Sequence, residues 1–419
     1  MSKIIWLLNH YATDMYFNKG GRHYWFAKNL IERGYKPTVF CANTRHNNSD
    51  IIEIKKGKYV KKSVNNIPFV FIKTKPSTGN GLDRVKNMVY FYRNLKKTAN
   101  KFIRNGNKPD VILASSVHPL TLVAGIKIGK KYNIPVICEV RDLWPEAIFT
   151  FNKAKEKSLL GKLLIKGEHW IYRKANALIF TKEGDTDYIK EKKWDIESGG
   201  DIDLNKCHYI NNGLDLKDYI DSVEQNKLED KDLGFDKFKV IYAGSIRPVN
   251  NVDKLIETAK LLKDYSDIEF LIYGDGNQKN NIEKLVSTYE LKNVLIKGYI
   301  EKKYIPYILS KSSVNVLNYS QTRYNWSRGN SSNKLFEYMA SSKPIISTVK
   351  MGYSPFDKYD IGYEIMDATP KDIAEAILRI KSLPKEDYEK LSKNAFQASK
   401  NYDFEVHTKT LEEIIKSVS

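Results

Sequence analysis

Short apolar runs alternate with longer amphipathic segments in this chain, and the series occurs twice along its 419 residues. Near the start, Ile4–Leu8 is a continuous apolar run, and residues 24–33 after it have helical spacing that ends at Gly34. Apolar runs without polar alternation indicate strands that are buried on both faces, as in a parallel sheet covered by helices. The alternation therefore predicts an α/β fold.

The two series predict two consecutive domains, because 419 residues are too many for one ordinary core. The first series predicts a helix over 119–132 and strands over 37–41, 110–114, 134–140, 177–180 and 207–210. The second follows a polar segment at 224–237 and predicts helices over 252–262, 334–340 and 371–381 and strands over 238–243, 269–273, 294–297, 314–317 and 344–347. We place the domains at 1–218 and 219–400.

Glycine-rich loops follow several of the predicted strands, where open parallel sheets bind their ligands. Gly20 and Gly21 follow the first strand, Gly244 to Arg247 follow the first strand of the second domain, and Gly274 follows the next one. Each loop is either an ordinary turn or a place where backbone approaches a ligand, and Arg247 could clamp a diphosphate. The GxGxxG fingerprint is absent, which argues against NAD as cofactor.

The segment 329–340 carries the richest set of candidate ligand groups. Small polar residues precede an apolar helix start, so free N–H groups at its first turn would suit a diphosphate. Glu337 lies one turn further on and could take two sugar hydroxyls, or could simply favour the helix dipole. The donor-binding candidates of this segment are Ser331, Ser332, Asn333, Lys334, Leu335 and Glu337.

Titratable residues also follow two strands of the first domain. His118 follows one strand, and Arg141, Asp142 and Glu146 follow the next. His118 and Asp142 are the candidate catalytic residues, and Arg141 and Glu146 are candidates for holding an acceptor. No CxxC or CxxH spacing occurs among the three cysteines, so we expect neither a zinc site nor a disulfide framework.

The formal net charge of +19 indicates an anionic partner. Segments 84–108 and 153–174 combine basic and aromatic residues, as helices at an anionic membrane surface do, although such apolar stripes can equally pack on a sheet. No nucleic-acid module is recognisable, the apolar start is too short for a signal peptide, and no run is long enough to span a bilayer. We expect a cytoplasmic protein peripheral to the inner face of the cell membrane.

Taken together, these motifs resemble the retaining glycosyltransferases of family 4, which have the GT-B fold of two Rossmann-like domains facing a central crevice. The resemblance is greatest to the capsule and O-antigen branch of N-acetyl-fucosaminyl and related amino-sugar transferases. The matching pieces run nearly end to end and include 20–21, 139–145, 211–215, 242–245, 273–276, 297–300, 332–340 and 343–345.

This resemblance implies a nucleotide-sugar donor, UDP-linked in our expectation, held mostly by the second domain. It implies a glycan or polyprenyl-linked acceptor held by the first domain, and retention of configuration without a metal or other cofactor. Glu337 matches the second glutamate of the family's ExxxxxxxE motif, which binds ribose, and His118 matches a histidine near the transferred sugar. The segment 401–419 would cross back to the first domain.

The chain departs from the family pattern at two places. Gly329 stands where the first motif glutamate should contact the donor sugar, so an N-acetylated or deoxy sugar is expected. Ser245 and Asn250 stand where a basic phosphate-binding pair is usual, and we expect Arg247, with Lys334, to replace it. A UDP-sugar epimerase on the same fold and a basic RNA- or lipid-binding scaffold are the alternative functions.

Overall fold

A computed structural model describes residues 2–45, 51–77, 81–116, 118–149, 156–234, 236–323 and 325–419. The chain forms two compact units: unit 1 comprises Met1–Asn211 and Phe404–Ser419, and unit 2 comprises Asn212–Asp403. These bounds differ from the predicted 218/219 and 400/401 because Leu214 bridges to Asp403 and its N–H donates to the carbonyl of Tyr402 at 3.1 Å. Residues 212–218 therefore belong to the fold of unit 2.

Unit 1 is an eight-stranded sheet with helices packed against it. Its strands are β1 (Ile4–Leu8), β2 (Lys36–Ala42), β3 (Tyr59–Val64), β4 (Ile67–Ile72), β5 (Val111–Ser116), β6 (Val136–Val140), β7 (Ala177–Phe180) and β8 (Cys207–Tyr209). Its helices are α1 (Thr13–Asn18), α2 (Arg22–Glu32), α3 (Leu82–Arg104), α4 (Pro119–Tyr132), α5 (Glu146–Phe149), α6 (Leu159–Lys174), α7 (Asp185–Glu191) and the C-terminal Phe404–Val418. The strand order is β3-β4-β2-β1-β5-β6-β7-β8, and only the β3–β4 pair is antiparallel.

Unit 2 is a six-stranded parallel sheet with helices. Its strands are β9 (Phe238–Ala243), β10 (Ile268–Tyr273), β11 (Val294–Gly298), β12 (Val314–Leu317), β13 (Ile345–Ser347) and β14 (Gly362–Glu364), in the order β11-β10-β9-β12-β13-β14. Its helices are α8 (Leu216–Gln225), α9 (Val252–Leu261), α10 (Lys279–Thr288), α11 (Ile305–Ser310), α12 (Asn333–Ala340), α13 (Pro355–Tyr359), α14 (Pro370–Lys381) and α15 (Lys385–Lys400). The C-terminal helix of unit 1 is α16.

Both sheets are covered by apolar cores, as the continuous strands predicted. In unit 1, Leu7 and Leu113 of neighbouring strands are completely buried, and α16 adds Phe404 and Leu411 to the same core as Phe26 of α2. The Phe26 and Phe404 rings meet edge to face with centroids 5.4 Å apart. The predicted α/β class is therefore confirmed, and α16 is an integral part of unit 1.

The basic segment 84–108 lies mainly on α3, and its apolar stripe is structural. Phe91, Leu95 and Phe102 of α3 are buried in the core of unit 1. The segment 153–174 differs, because Leu159, Leu160 and Leu163 of α6 are exposed; residues 153–155 lie outside the described part of the chain. Among the described residues, no helix has both the length and the apolar character needed to cross a bilayer.

Candidate functional site

The loops that follow β9 and β10 touch backbone to backbone at the carboxyl end of the unit 2 sheet. Gly274 has φ +144°, and a Cβ there would lie 1.8 Å from the carbonyl oxygen of Gly244. The N–H of Ile246 donates to the carbonyl of Asp275 at 2.8 Å, which fixes the two loops to each other. Glycine at 274 is thus required by packing, and the loop after β9 becomes a fixed platform.

Lys334, on the first turn of α12, lies directly over this platform. A Cβ at Gly244 would come within 2.9 Å of Lys334 Cδ and 3.2 Å of its Nζ. Lys334 Nζ donates to the Tyr242 hydroxyl at 3.3 Å and lies 4.2 Å from the centre of the Tyr319 ring. The structure therefore brings together Gly244 and Lys334, which are 90 residues apart in sequence.

The Lys334 ammonium group sits in an environment that disfavours its charge. Desolvation lowers the pKa of Lys334 to about 7, and Glu337 opposes this shift only partly. With its amide oxygen turned toward Lys334, Asn250 accepts from Nζ at 3.2 Å and donates to the carbonyl of Ser245 at 2.8 Å. Among the described residues, Nζ contacts the neutral side chains of Tyr242, Tyr319 and Asn250. Glu337 acts on its charge without forming an ion pair with it, so an anion placed here would meet a cation that no salt bridge holds.

Two of the backbone N–H groups at the start of α12, which the sequence predicts to be free, already have hydrogen-bond acceptors. The N–H of Ser332 donates to Asn330 Oδ1 at 2.7 Å, and that of Leu335 donates to the carbonyl of Ser332 at 3.2 Å. The prediction of free amides from 332 to 335 is therefore wrong for these two, and the Leu335 side chain is fully buried in the core. The N–H groups of Asn333 and Lys334 are those left for a ligand, since the Ser332 side chain does not cap the helix.

The residues around this helix start are held by polar contacts. Ser332 Oγ lies 2.6 Å from the Tyr319 hydroxyl, and the carbonyl of Ser331 accepts from Asn212 Nδ2 at 2.9 Å. Both contacts fix the loop that leads into α12. The side chain of Asn333 is exposed.

Glu337 lies one turn beyond Lys334 and is mostly buried, with 19% of its side chain exposed. Its Oε1 is 3.4 Å from Nζ of Lys302, which is a largely exposed side chain. Among the described residues its ion-pair partner is Lys302, and a pair with so exposed a lysine holds the carboxylate only weakly. Gly329, where the family pattern has glutamate, has φ +98°, a backbone conformation that a glutamate would adopt only with strain.

Arg247 lies further along the loop that follows β9 and Gly244. Its side chain is exposed and lines a different cavity of about 340 Å³, together with Asp253, Gln278 and Arg323. No described contact links Arg247 to Lys334, so their joint role in phosphate binding stays a prediction.

In unit 1, Gly20 and Gly21 end a loop between α1 and α2. Gly21 has φ +105° and is the N-cap of α2, and a Cβ there would lie 3.1 Å from Met15 Cγ. A Cβ at Gly20 would meet the Trp25 ring at 3.5 Å. The positive φ at position 21 is the reason for glycine there. Contact of Gly20 and Gly21 with the donor stays a prediction.

A buried charged cluster, which the sequence reasoning missed, begins at the first residue of α2. Arg22 Nε donates to Glu139 Oε1 at 2.6 Å, His23 Nε2 is 3.1 Å from Glu139 Oε2, and Ser115 Oγ donates to Oε2 at 2.6 Å. Burial alone would raise the pKa of Glu139, but Arg22, His23 and Ser115 hold it well below its usual value. The carboxylate is therefore ionised, and a glutamate inside an apolar strand was the available signal.

Arg22 also links α2 to the end of unit 1. It donates to the carbonyl of Ile210 at 3.0 Å and to the carbonyl of Asn211. Desolvation lowers the pKa of Arg22, and the Glu139 charge opposes that shift. These two carbonyls belong to the last residues of the unit before the chain enters unit 2.

His118 forms the N-cap position of α4 and pairs with a second histidine. His118 Nε2 lies 2.6 Å from His10 Nδ1, and the His10 ring stacks on Phe91 at 4.2 Å. Burial, with a smaller effect of Arg84, lowers the pKa of His118 to about 3, so the ring is neutral at pH 7. No described residue gives His118 Nδ1 a hydrogen-bond partner. A neutral imidazole of this kind suits hydrogen bonding to a ligand better than proton abstraction.

The remaining unit 1 candidates lie after β6. Asp142 is exposed and lines a cavity between α4 and α6. Arg141 is positioned through its backbone, because its N–H donates to Ser116 Oγ at 3.0 Å and its carbonyl accepts from Thr181 at 2.9 Å. Glu146 begins α5, and its charge helps to raise the pKa of Glu168. Within the described ranges, no three His, Cys, Asp or Glu side chains cluster as metal ligands would.

Two family models match consecutive parts of the chain. Residues 24–218 match the family described as Glycosyltransferase Family 4, and residues 224–398 match Glycosyl transferases group 1. A curated relative, poly(ribitol-phosphate) alpha-N-acetylglucosaminyltransferase of Staphylococcus aureus (strain COL), is 31% identical over 137 residues. That match covers 32% of this chain and 26% of the relative, so it spans about a quarter of the relative's length.

Solved structures resemble the chain over nearly its whole length. Sucrose-phosphate synthase of Thermosynechococcus elongatus has a TM-score of 0.72 at 16% identity, covering 99% of this chain and 98% of that one. HepE of Anabaena in complex with UDP has a TM-score of 0.65 at 13% identity, covering 99% and 100%. Trehalose 6-phosphate synthase of Burkholderia multivorans has a TM-score of 0.71 at 11% identity, and the match covers 100% of this chain and 97% of that one. Along its length the chain therefore matches a family 4 glycosyltransferase model and then a glycosyltransferase group 1 model, and it has the GT-B fold.

Proposed function

We propose that the chain is a retaining glycosyltransferase that takes a sugar from a UDP-linked donor and transfers it to a glycan or lipid-linked acceptor of bacterial surface polysaccharide. Unit 2 holds the donor and unit 1 the acceptor. The observation that carries the proposal is Lys334 over Gly244, a desolvated cation beside the free amides of α12. The UDP complex of the fold neighbour HepE and the N-acetylglucosaminyl transfer in the relative's name agree with it.

The departing diphosphate requires positive partners for the charge it develops. Lys334 and the N–H groups of Asn333 and Lys334 supply them, with Ser331 and Ser332 shaping the loop and Glu337 binding the ribose hydroxyls. The bond from the anomeric carbon to the diphosphate breaks, and the bond to the acceptor oxygen forms on the same face. The acceptor hydroxyl proton passes to the diphosphate, so this reaction needs no nucleophile from the protein.

Contacts in unit 2 support our interpretation of the two departures from the family pattern. Ser245 and Asn250, where a basic pair is usual, bond to each other, and Asn250 faces Lys334. We assign the phosphate-binding role to Lys334 first and place Arg247 second, since it lines another cavity. Glycine at 329 leaves the donor sugar without the usual carboxylate, which favours an N-acetylated or deoxy sugar.

The test is a panel of radiolabelled UDP-sugars incubated with the full chain, with and without an acceptor extract, in EDTA. We expect release of UDP and labelled product from an N-acetylated or deoxy donor, with an anomeric configuration by NMR that matches the donor. Inversion, or a requirement for added metal, would contradict the retaining, metal-independent reaction. Conversion of the donor into another UDP-sugar without acceptor would point to an epimerase.

A further inference from the structure

A cavity of about 350 Å³ lies within unit 1, between α4 and α6. Ser116, the last residue of β5, and Asp142, which follows β6, form one part of its wall. Most of the rest is apolar, from Leu122 and Val123 of α4, Leu164 and Ile171 of α6, and the rings of Trp144 and Trp170. We call this the α4–α6 cavity; its volume is within the range of about 300–1,000 Å³ typical of small-molecule sites.

One carboxyl group in the wall is kept neutral. Glu168 accepts hydrogen bonds from the hydroxyls of Tyr172 at 2.8 Å and Tyr188 at 2.7 Å. Burial raises the pKa of Glu168 to about 8, which Glu146 reinforces and the two tyrosines and Lys192 oppose. At neutral pH this part of the wall is therefore compatible with an apolar ligand.

The cavity continues into an exposed apolar patch. Leu163 lines the cavity and is itself 65% exposed, and Leu159 and Leu160, on the first turn of α6, are 88% and 64% exposed. These three leucines, on the first two turns of α6, form an apolar surface that water disfavours. An apolar chain longer than the cavity could therefore continue across these leucines.

The two helices that form the walls are strongly basic. They carry seven lysines and arginines, whereas Glu168 is the single acidic residue between them. Lys127 of α4 lines the cavity itself, and Lys162 and Lys166 of α6 are exposed next to the leucines. These three lysines outnumber the one exposed carboxylate of the wall, Asp142, so charge complementarity favours a ligand with an anionic head group on its apolar chain.

We propose that the α4–α6 cavity binds the hydrocarbon chain of a lipid-linked acceptor, whose anionic head group pairs with Lys127 and whose reacting sugar lies by Asp142. The role of this lipid as the acceptor rests on the function proposed above. The binding of an anionic long-chain lipid rests on the cavity alone. This assignment makes the acceptor an amphiphile and gives the exposed leucines a role in guiding its chain.

The test uses alkyl phosphates from hexyl to dodecyl, below their micelle concentrations, with the full chain. Each additional CH₂ that enters the cavity should tighten binding about fourfold until the cavity is full. An 11-bromoundecyl phosphate should quench tryptophan fluorescence through Trp144 and Trp170, and the double variant W144F/W170F should lose most of that quenching. Binding that is independent of chain length would overturn the proposal.

Gly167→Leu is the blocking variant. Gly167 lines the cavity, a Cβ there meets no heavy atom within 4 Å, and leucine is a stronger helix former than glycine. We expect at least tenfold weaker binding of decyl phosphate, with the circular dichroism spectrum unchanged. Gln397→Leu, which adds a leucine at an exposed position of α15 in unit 2, should bind like the wild type. Equal binding by G167L and the wild type would overturn the site.

UDP binding, measured in the same samples, separates this proposal from the previous one. If G167L still binds UDP but no longer binds decyl phosphate, the result supports both the nucleotide site and the lipid site. Chain-length-dependent binding without any UDP affinity would overturn the acceptor assignment but leave the lipid site. Pelleting with phosphatidylglycerol vesicles without binding of monomeric alkyl phosphates would show adsorption to a charged surface and overturn the cavity proposal.

Discussion

Gly244 and Lys334 are in such close contact that any side chain at 244 would collide with the lysine: an added Cβ would lie 2.9 Å from Lys334 Cδ. Gly244→Ala should therefore displace the ammonium group and weaken donor binding about tenfold, or roughly 1.4 kcal/mol. Because the lysine is flexible, stability should change by less than about 1 kcal/mol. Calorimetric titration with UDP-N-acetylglucosamine measures the first effect and thermal unfolding the second.

The control for this variant is Gly234→Ala. Gly234 has φ −60°, and the heavy atom nearest to an added Cβ would be 3.4 Å away, so alanine fits there. Donor affinity of G234A should equal that of the wild type. Equal loss in both variants would show that the effect at 244 is not specific.

Donor affinity should depend on pH through Lys334. Because desolvation lowers the pKa of Lys334 to about 7, the free lysine loses its charge as pH rises through 7. A UDP-sugar, whose phosphates stay ionised, should therefore bind most tightly below pH 7 and progressively more weakly up to pH 9, approaching tenfold per pH unit at most. Titrations at pH 6, 7, 8 and 9 measure this slope. The Lys334→Gln variant should bind the donor weakly, and its donor affinity should not change with pH. If the affinity of K334Q still falls as pH rises, another group is responsible for the pH dependence.

The Arg22–Glu139 pair should be important for the stability of unit 1. Arg22→Met leaves Glu139 buried and ionised without its main partner and removes a donor from the Ile210 carbonyl, so we expect a loss of about 3–5 kcal/mol. Urea unfolding followed by circular dichroism measures the change. Arg33→Met should cost about 1 kcal/mol or less, because Glu405 is largely exposed and Glu412 keeps Lys416 as a partner. Equal losses in the two variants would contradict the buried-pair account.

Glu168 should make unit 1 less stable as pH rises. Its folded pKa of about 8 lies above the value near 4.5 of a free glutamate, so between these values the folded state holds a proton that the unfolded state has released. The free energy of unfolding should fall between about pH 5 and pH 8, by up to about 1.4 kcal/mol per pH unit. Unfolding of Glu168→Gln, which keeps an acceptor for Tyr172 and Tyr188, should lack this component. The prediction fails if both proteins show the same slope.

Much of the fold could be predicted because continuous apolar runs directly reflect strands buried on both faces. The bounds of β7, β9, β12 and α4 agree with the predicted ones. The β3–β4 hairpin was missed because Lys61, Lys62 and Ser63 of β3 face solvent on a sheet edge. The Asn65–Asn66 turn, with φ of 47° and 63°, was the available signal, since asparagine is common in such two-residue turns.

The site could be predicted only as separate loops. Spacing places Lys334 at a helix start and Gly244 after a strand, but their contact depends on how β9 packs beside α12. The Arg22–Glu139–His23 cluster joins α2 to β6 across more than 100 residues, and local patterns carry no information on such pairs. The cavity that Arg247 lines with Asp253 and Gln278 likewise depends on how three separate segments pack, which local patterns do not show.

The central claim is that unit 2 binds the diphosphate of a nucleotide sugar through Lys334. The most direct measurement is calorimetric titration of UDP into the wild type, K334Q and R247Q at pH 6.5. We predict measurable affinity in the wild type, a loss of at least tenfold in K334Q and a smaller loss in R247Q. Absence of UDP binding in the wild type, or unchanged affinity in K334Q, would contradict the claim.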